Sequence, residues 1–392
     1  MKKRLLAVAV LTGISGAAAA QTVSVYGVID AGVAYTNKSP TTAPNTGSLL
    51  GFQSNGESPS IFGLKGSEDI GGGTKVNMDL EGHFASGTGV GNQWGGLFGR
   101  QANVGVSGSF GNVTVGNQYS PAVLAFAATD PRGLKESFSG LMNWAFSQTP
   151  VQGGTSTGAV LNGAGNPVAA GYVYNDNSVI DVFLKNTISY SIQMPMGWMS
   201  KTDGLNLAVS YSLGGVAGST QANRVIALGV TYSSPLILSL AYQAENGDGL
   251  AGASGTSNTK FSIGAGYALG TATVKINYLD NKGENAGTGA EIAHYKVIGL
   301  GADFKVSDLD TVTLAYYDGK NSDVNADTAK SLILSNDYSL SKRTTLYGLI
   351  AEVKAGSSVS GGSSAYNGDN FSAPPIAGQN AMALQLGLKH VF

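Results

Sequence analysis

A period of two that recurs from one end of the chain to the other limits its fold more than any other feature. Residues 75 to 84 read KVNMDLEGHF, in which Val76, Met78, Leu80, Gly82 and Phe84 form one series and Lys75, Asn77, Asp79, Glu81 and His83 the other. Such alternation marks a strand with unlike faces. Strand-like segments fall near residues 22–35, 59–67, 74–84, 97–108, 112–119, 182–193, 204–213, 223–233, 236–246, 258–269, 271–281, 291–305, 309–318, 328–340, 344–354 and 379–392, sixteen in all. A 3.6-residue stripe shows only in a short turn near 122–128.

The connections alternate in length. SFGN at 109–112, SSP at 233–235, ALGT at 268–271 and LSKRT at 340–344 are short, whereas 36–58, 119–181, 247–257 and 355–378 are long and polar. That rhythm belongs to an outer-membrane barrel, with short periplasmic turns and long external loops. A soluble sandwich has no such asymmetry. The faces follow: Lys75 turned to lipid at mid-bilayer would cost about 2–4 kcal/mol, so Lys75, Asn77, Asp79, Glu81 and His83 face a watery lumen. Lys275 and Asn277 oppose Val274, Ile276 and Tyr278 in the same way, and Gln385, Gly387 and Lys389 oppose Leu384, Leu386, Leu388, His390 and Phe392. Tyr26, Tyr35, Phe84, Phe98, Tyr211, Tyr232, Tyr267, Tyr295 and Tyr347 lie near strand ends, which assigns them to interfacial girdles. The expected fold is an all-β, 16-stranded antiparallel transmembrane barrel spanning residues 21–392.

The first residues, MKKRLLAVAVLTGISGAAAA, set Lys2, Lys3 and Arg4 before an apolar run and a small-residue end, which reads as a signal peptide over 1–20. Cleavage after Ala20 removes three positive charges and takes the formal net charge from −2 to −5. This weakly acidic balance argues against nucleic acid as a partner. With 0 Cys, neither disulfides nor thiolate metal sites are available. No later run reaches 18 apolar residues, so helical membrane spans are excluded while spanning strands are not.

The stretches VSVYGVIDAGVAY at 23–35, FGLKGSEDIGGG at 62–73, LFGRQANVGVSGSFGNVTVGNQYSP at 97–121 and GLKHVF at 387–392 resemble the Gram-negative trimeric general porins of β-proteobacterial type. The resemblance implies a homotrimer in the outer membrane that passes ions and small hydrophilic solutes passively, with its third external loop folded inward to narrow the pore. It also implies that the terminal aromatic, here Phe392, is read by the assembly machinery. It assigns Lys65 and Arg100 to the basic wall and Glu81 and Asp79 to the acids facing it. On the inward loop, TDPRGLKESF at 129–138 supplies Asp130, Arg132 and Glu136; a solvated external loop is the alternative for these three. Ile61 and Asn117 stand where the family carries basic residues, so the expected selectivity is weak, neutral to modestly cation-favouring, with Arg100 the chief anion-attracting group.

Competing functions find less support. A barrel enzyme needs a nucleophile with a positioned base, but His83, His294 and His390 come with no nucleophile elbow and no metal-ligand spacing, and no cofactor is implied. A substrate-specific channel is the nearer rival. It usually carries an aromatic slide, and strand parity places none of Trp94, Trp144 and Trp198 on an inward face.

Overall fold

The computed structural model describes residues 22–38, 47–91, 96–145, 182–195, 204–215, 218–233, 235–246, 256–285, 287–323, 326–359 and 376–392. The expected signal peptide, Trp94, Trp198 and residues 146–181 of the long third connection lie outside them. The strands are β1 (Thr22–Thr36), β2 (Leu49–Ser54), β3 (Ser60–Gly71), β4 (Thr74–Phe84), β5 (Gln101–Gly108), β6 (Gly111–Tyr119), β7 (Phe183–Pro195) and β8 (Gly204–Ser212). They continue as β9 (Val225–Ser233), β10 (Leu236–Glu245), β11 (Thr256–Leu269), β12 (Ala272–Asn285), β13 (Glu291–Lys305), β14 (Asp310–Asn321), β15 (Thr328–Ser339), β16 (Thr344–Ala355) and β17 (Asn380–Val391).

From β3 onward each strand pairs antiparallel with the next, and β1 pairs with β17 from Val28↔Val391 to Thr36↔Ala383, which closes the sheet into a barrel. On its other edge β1 has two partners. Its first half runs beside β3, from Thr22↔Ser67 to Val28↔Ile61, and its second half beside β2, from Ala31↔Ser54 to Thr36↔Leu49. β2 and β3 therefore share one place in the wall, and the barrel has sixteen strand positions, as the alternation predicts. The expectation of a loop over 36–58 is corrected by β2. Residues 55–59, NGESP, break the wall strand: Asn55 takes φ 59°, and the Asp30 carboxylate accepts from the backbone N–H groups of Gly56, Glu57 and Ser58 at 3.2, 2.9 and 2.9 Å. The strand expected from residue 97 begins at Gln101, after a turn over 97–100.

The apolar series points outward. On β17, Met382, Leu384, Leu386 and Leu388 are 46, 47, 65 and 44% exposed, while Ala381, Ala383 and Gln385 on the opposite face are 2, 5 and 3% exposed. So many solvent-exposed apolar side chains are stable only against lipid. Tyr35 and Tyr267 lie on this outer face, as a girdle requires. Tyr26, Tyr295 and Tyr347 do not: their parity turns them inward, where the Tyr26 and Tyr347 hydroxyls bond to carboxylates. At the seam, Gly27 exchanges backbone hydrogen bonds with Phe392 at 3.2 and 3.0 Å. A Cβ on Gly27 would lie 2.3 Å from the Phe392 ring, so only glycine leaves room for that ring.

Inside the barrel, YSPAVLAFAATD folds as helix α1 (Pro121–Thr129), because the Ser120 hydroxyl accepts from Ala122 N at 3.2 Å and Pro121 opens the first turn. α1 packs on the inner face of β8–β12. Gly229 and Gly264 permit this closeness, since a Cβ at either would come within 2.0 Å of Pro121 O or Thr129 Oγ1. A second short helix, α2 (Gly140–Ala145), returns along β12 and β13. Among the described residues no helix is long and apolar enough to cross a membrane, so the crossing is made by strands.

Candidate functional site

Two groups of polar side chains line the lumen. The first lies on the wall from β1 to β7. Arg100, just ahead of β5, donates from Nε to Glu81 Oε1 at 2.6 Å and from Nη2 to the Tyr119 hydroxyl, with its guanidinium 4.7 Å from the Phe183 ring centre. The Tyr26 hydroxyl reaches both Asp79 Oδ1 at 2.7 Å and Glu81 Oε2 at 2.8 Å. Asp79 Oδ2 accepts from Gln101 Nε2 at 3.1 Å and lies 3.6 Å from Lys65 Nζ, which also sits over the Tyr26 ring. The parity that sends Leu80 outward brings Asp79 and Glu81 into this cluster, so a single β4 face supplies both acids. Arg100 and Glu81 are buried, whereas the Lys65 side chain is 53% exposed to the lumen.

The second group ties the inward loop to β15, β17 and the break at 55–59. Lys135 bridges Glu57 and Asp337, and Lys389 reaches Glu57 Oε2 at 3.1 Å. The loop backbone docks on the wall break through Glu136 N to Glu57 O at 3.2 Å and Ser137 N to Gly56 O at 3.0 Å. Gln385 Nε2 donates to Ser137 Oγ at 3.1 Å, and Arg132 Nη1 to Ser335 Oγ at 2.6 Å. From α1 at β8–β12 the loop therefore crosses to β15, β17 and the break, then returns to β12, where Asn281 Nδ2 donates to Asn143 O at 3.0 Å.

Of the residues expected to form the site, Lys65, Asp79, Glu81 and Arg100 come together, and the Glu136 charge acts on Arg100 from the loop. Asp130 is fully buried instead. Its Oδ2 accepts from Arg132 N at 3.1 Å and Leu134 N at 2.9 Å, and its Oδ1 from Gly140 N at 3.0 Å and the Tyr317 hydroxyl at 3.1 Å. Burial pushes its carboxyl up from the usual aspartate range, and these donors pull it back only in part. Asp130 thus shapes the loop's turn. Arg132 belongs to the β13–β15 side, and Lys75 stands exposed near the short-turn rim, apart from the cluster. Ile61 lies lumen-side opposite His83, and the Asn117 carboxamide is fixed on Gly99 O at 2.8 Å. Trp144 is buried against Phe126, with ring centres 5.3 Å apart, and forms no slide. Phe392 stands outward at the seam.

Asp30, Glu57, Lys135, Asp337, Tyr347 and Lys389 were not among the expected site residues. Counting by twos puts Tyr347 opposite the outward Leu346 and Ile350, a signal that its place near a strand end obscures. Nothing local marks Glu57, whose partners lie 78 and 332 residues away.

A family model described as Gram-negative porin matches residues 7–358. Outer membrane porin protein 32 of Delftia acidovorans is 29% identical over 398 residues, covering 100% of both chains. An outer membrane porin protein of Bordetella pertussis is 40% identical over 144 residues, 34% of this chain and 37% of that one. Among solved structures, the anion-selective porin from Comamonas acidovorans superposes with TM-score 0.72 at 26% identity, covering 95% of this chain and 100% of its own.

Proposed function

The chain belongs to the Gram-negative porin family, outer-membrane channels rather than enzymes, and on that premise we propose that ions and small hydrophilic solutes diffuse through it between two named surfaces. One is the wall of Lys65, Asp79, Glu81 and Arg100, with Lys75 toward the periplasmic rim. The other is the inward loop carrying Asp130, Arg132 and Glu136, in which Asp130 holds the loop's shape. Because the side chains are placed by rigid strands and by a loop tethered at three walls, the passage has a fixed cross-section.

The matching of charge within that passage carries the reading. Arg100 is neutralised by Glu81 at 2.6 Å, Lys135 by Glu57 and Asp337, and Lys275 by Asp303 at 3.2 Å. Paired charges present dipoles to a passing ion, and dipole fields fade faster with distance than those of single charges. The selectivity that follows is weak, neutral to modestly cation-favouring, although the neighbour from Comamonas is anion-selective. Three further elements belong to the proposal. They are signal-peptide cleavage after Ala20, recognition of Phe392 during assembly, and a homotrimer with lipid around it. The outward Val23, Val25 and Phe52 supply apolar area on β1 and β2, within the wall segments 22–67 that, with the short external loop at 85–96, fall where members of the family build their subunit contact.

Recordings from the purified protein in planar bilayers, with sugar uptake into proteoliposomes, test the diffusion reading. Conductance should rise in proportion to salt, and uptake should stay linear in sugar concentration. Saturable uptake would make the protein a substrate-specific channel instead.

A further inference from the structure

The outer face of the barrel changes character toward its long-loop end between β13 and β16. Strand parity turns Ile298, Leu300, Leu314, Leu332 and Ile350 outward, and all are exposed. Counting on by twos from these toward the long loops puts Lys296, Asp318, Lys320, Lys330, Glu352 and Lys354 on the same outward face. A row of charge thus starts where the apolar band ends, at the level of the lipid headgroups.

Two of the four lysines are matched within the row. Lys330 Nζ lies 3.3 Å from Asp318 Oδ2, and Lys354 Nζ 3.6 Å from Glu352 Oε1. Lys296, half-buried, and Lys320, exposed, are direct cross-strand partners on β13 and β14. Neither ammonium makes an ion pair or hydrogen bond among the described residues. The acids nearest them are engaged elsewhere. Asp280, opposite Lys296 on β12, shares Oδ1 with His294 Nε2 at 2.8 Å and accepts the Tyr278 hydroxyl on Oδ2 at 2.8 Å, while Asp318 holds Lys330. Like charges directly opposite each other on paired strands repel, so the pair is at its most stable with an anion between its two heads.

We propose that Lys296 and Lys320 together bind the phosphate of an anionic lipid in the outer leaflet. Opposed Cβ atoms about 5 Å apart let the two ammonium groups each donate to a different oxygen of one phosphate. Next along the same outward face, Ile298, Leu300 and Leu314 offer apolar surface to the acyl chains of that lipid. Charge above and apolar wall below are the two parts of a lipid molecule, a match that free phosphate lacks. The pair lies outside the wall segments 22–67 proposed for the subunit contact, so lipid rather than a second copy of the chain covers it. The inference rests on a barrel surrounded by lipid, not on what diffuses through its lumen.

Native mass spectrometry of the purified channel, titrated in detergent with phosphatidic acid or with zwitterionic phosphatidylcholine, tests the assignment. The parent should retain one more phosphatidic acid than phosphatidylcholine per chain. Lys296→Gln and Lys320→Gln should each weaken that retention about fivefold, the factor expected for one lysine at an anionic lipid surface. Replacing both lysines by arginine, which keeps the charges, should preserve it. Inorganic phosphate at the same concentration should leave the lipid in place. Equal retention of the two lipids by the parent, or parent-like retention when both lysines are replaced by glutamine, would overturn the assignment. Displacement by inorganic phosphate would make the pair a site for free anions and overturn the lipid partner. A parent that retains neither lipid would overturn the apolar contact along with the headgroup contact, and would leave the diffusion reading untouched.

Discussion

Glu81→Gln isolates one charge in the wall cluster of Lys65, Asp79, Glu81 and Arg100. In the parent, the 2.6 Å pair makes Arg100 and Glu81 nearly invisible to an ion several ångströms away. The variant leaves the Arg100 charge uncompensated on the β5 side, with Tyr119 and Phe183 unable to cancel it. A unit charge about 5 Å from a passing ion is worth about 0.8 kcal/mol in water, and a screening length of about 8 Å at physiological salt roughly halves that. The permeability ratio should therefore move about twofold to fourfold toward anions. Arg100→Ala should move it the other way by a similar factor, because Glu81 then stands unopposed while Asp79 keeps Lys65. Reversal potentials across a tenfold KCl gradient read both variants directly. Folding suffers too, since breaking a buried pair from one side costs about 3–5 kcal/mol, so heat-modifiable mobility must confirm that the recorded channels are intact. If both variants assemble and neither shifts the reversal potential, the cluster does not border the ion path and the reasoning fails.

Gly27→Val should lower the fraction of folded barrel, because its Cβ would lie 2.3 Å from the Phe392 ring and 2.6 Å from Ile61 O; a parent-like folded fraction on unheated gels would contradict the seat described for Phe392. Glu57→Gln should make single-channel traces noisier, since it removes the carboxylate shared by Lys135 and Lys389 and frees the loop; traces as quiet as the parent's would mean that the backbone bonds alone hold it.

The inverted faces were legible because lumen and lipid impose a period of two that survives in every strand, from Asp79 and Glu81 to Leu384 and Leu386. The short helix was legible as a 3.6-residue stripe near 122–128, and the structure adds its start, which Ser120 and Pro121 fix through local capping chemistry. Asp130 was a different case. Its sequence neighbours Arg132 and Lys135 suggest an open charged loop, but its bonds run to backbone N–H groups of its own turn and to Tyr317, which is 187 residues away. Tyr26 was assigned to the girdle because strand ends usually carry aromatics there, although counting by twos along β1 puts it on the same inward face as Asp30. The break at 55–59 left no local trace, because a residue pair such as Asn55 and Glu57 acquires its role only once Asp30 and the returning loop are in position.

A barrel is joined along all but one of its strand pairs by a turn of its own chain, and the exception is the line where first and last strands meet. Here that line runs between β1 and β17, and the pore loop lies across it from within. Ser137 is held by Gln385 of the last strand, its own N–H is held by Gly56 of the second wall position, and Glu57 joins Lys135 to Lys389. The segment that narrows the passage is thus also a strut across the joint. Prising the joint apart would drag the loop off the wall with it, so rupture of the wall and widening of the passage are a single event.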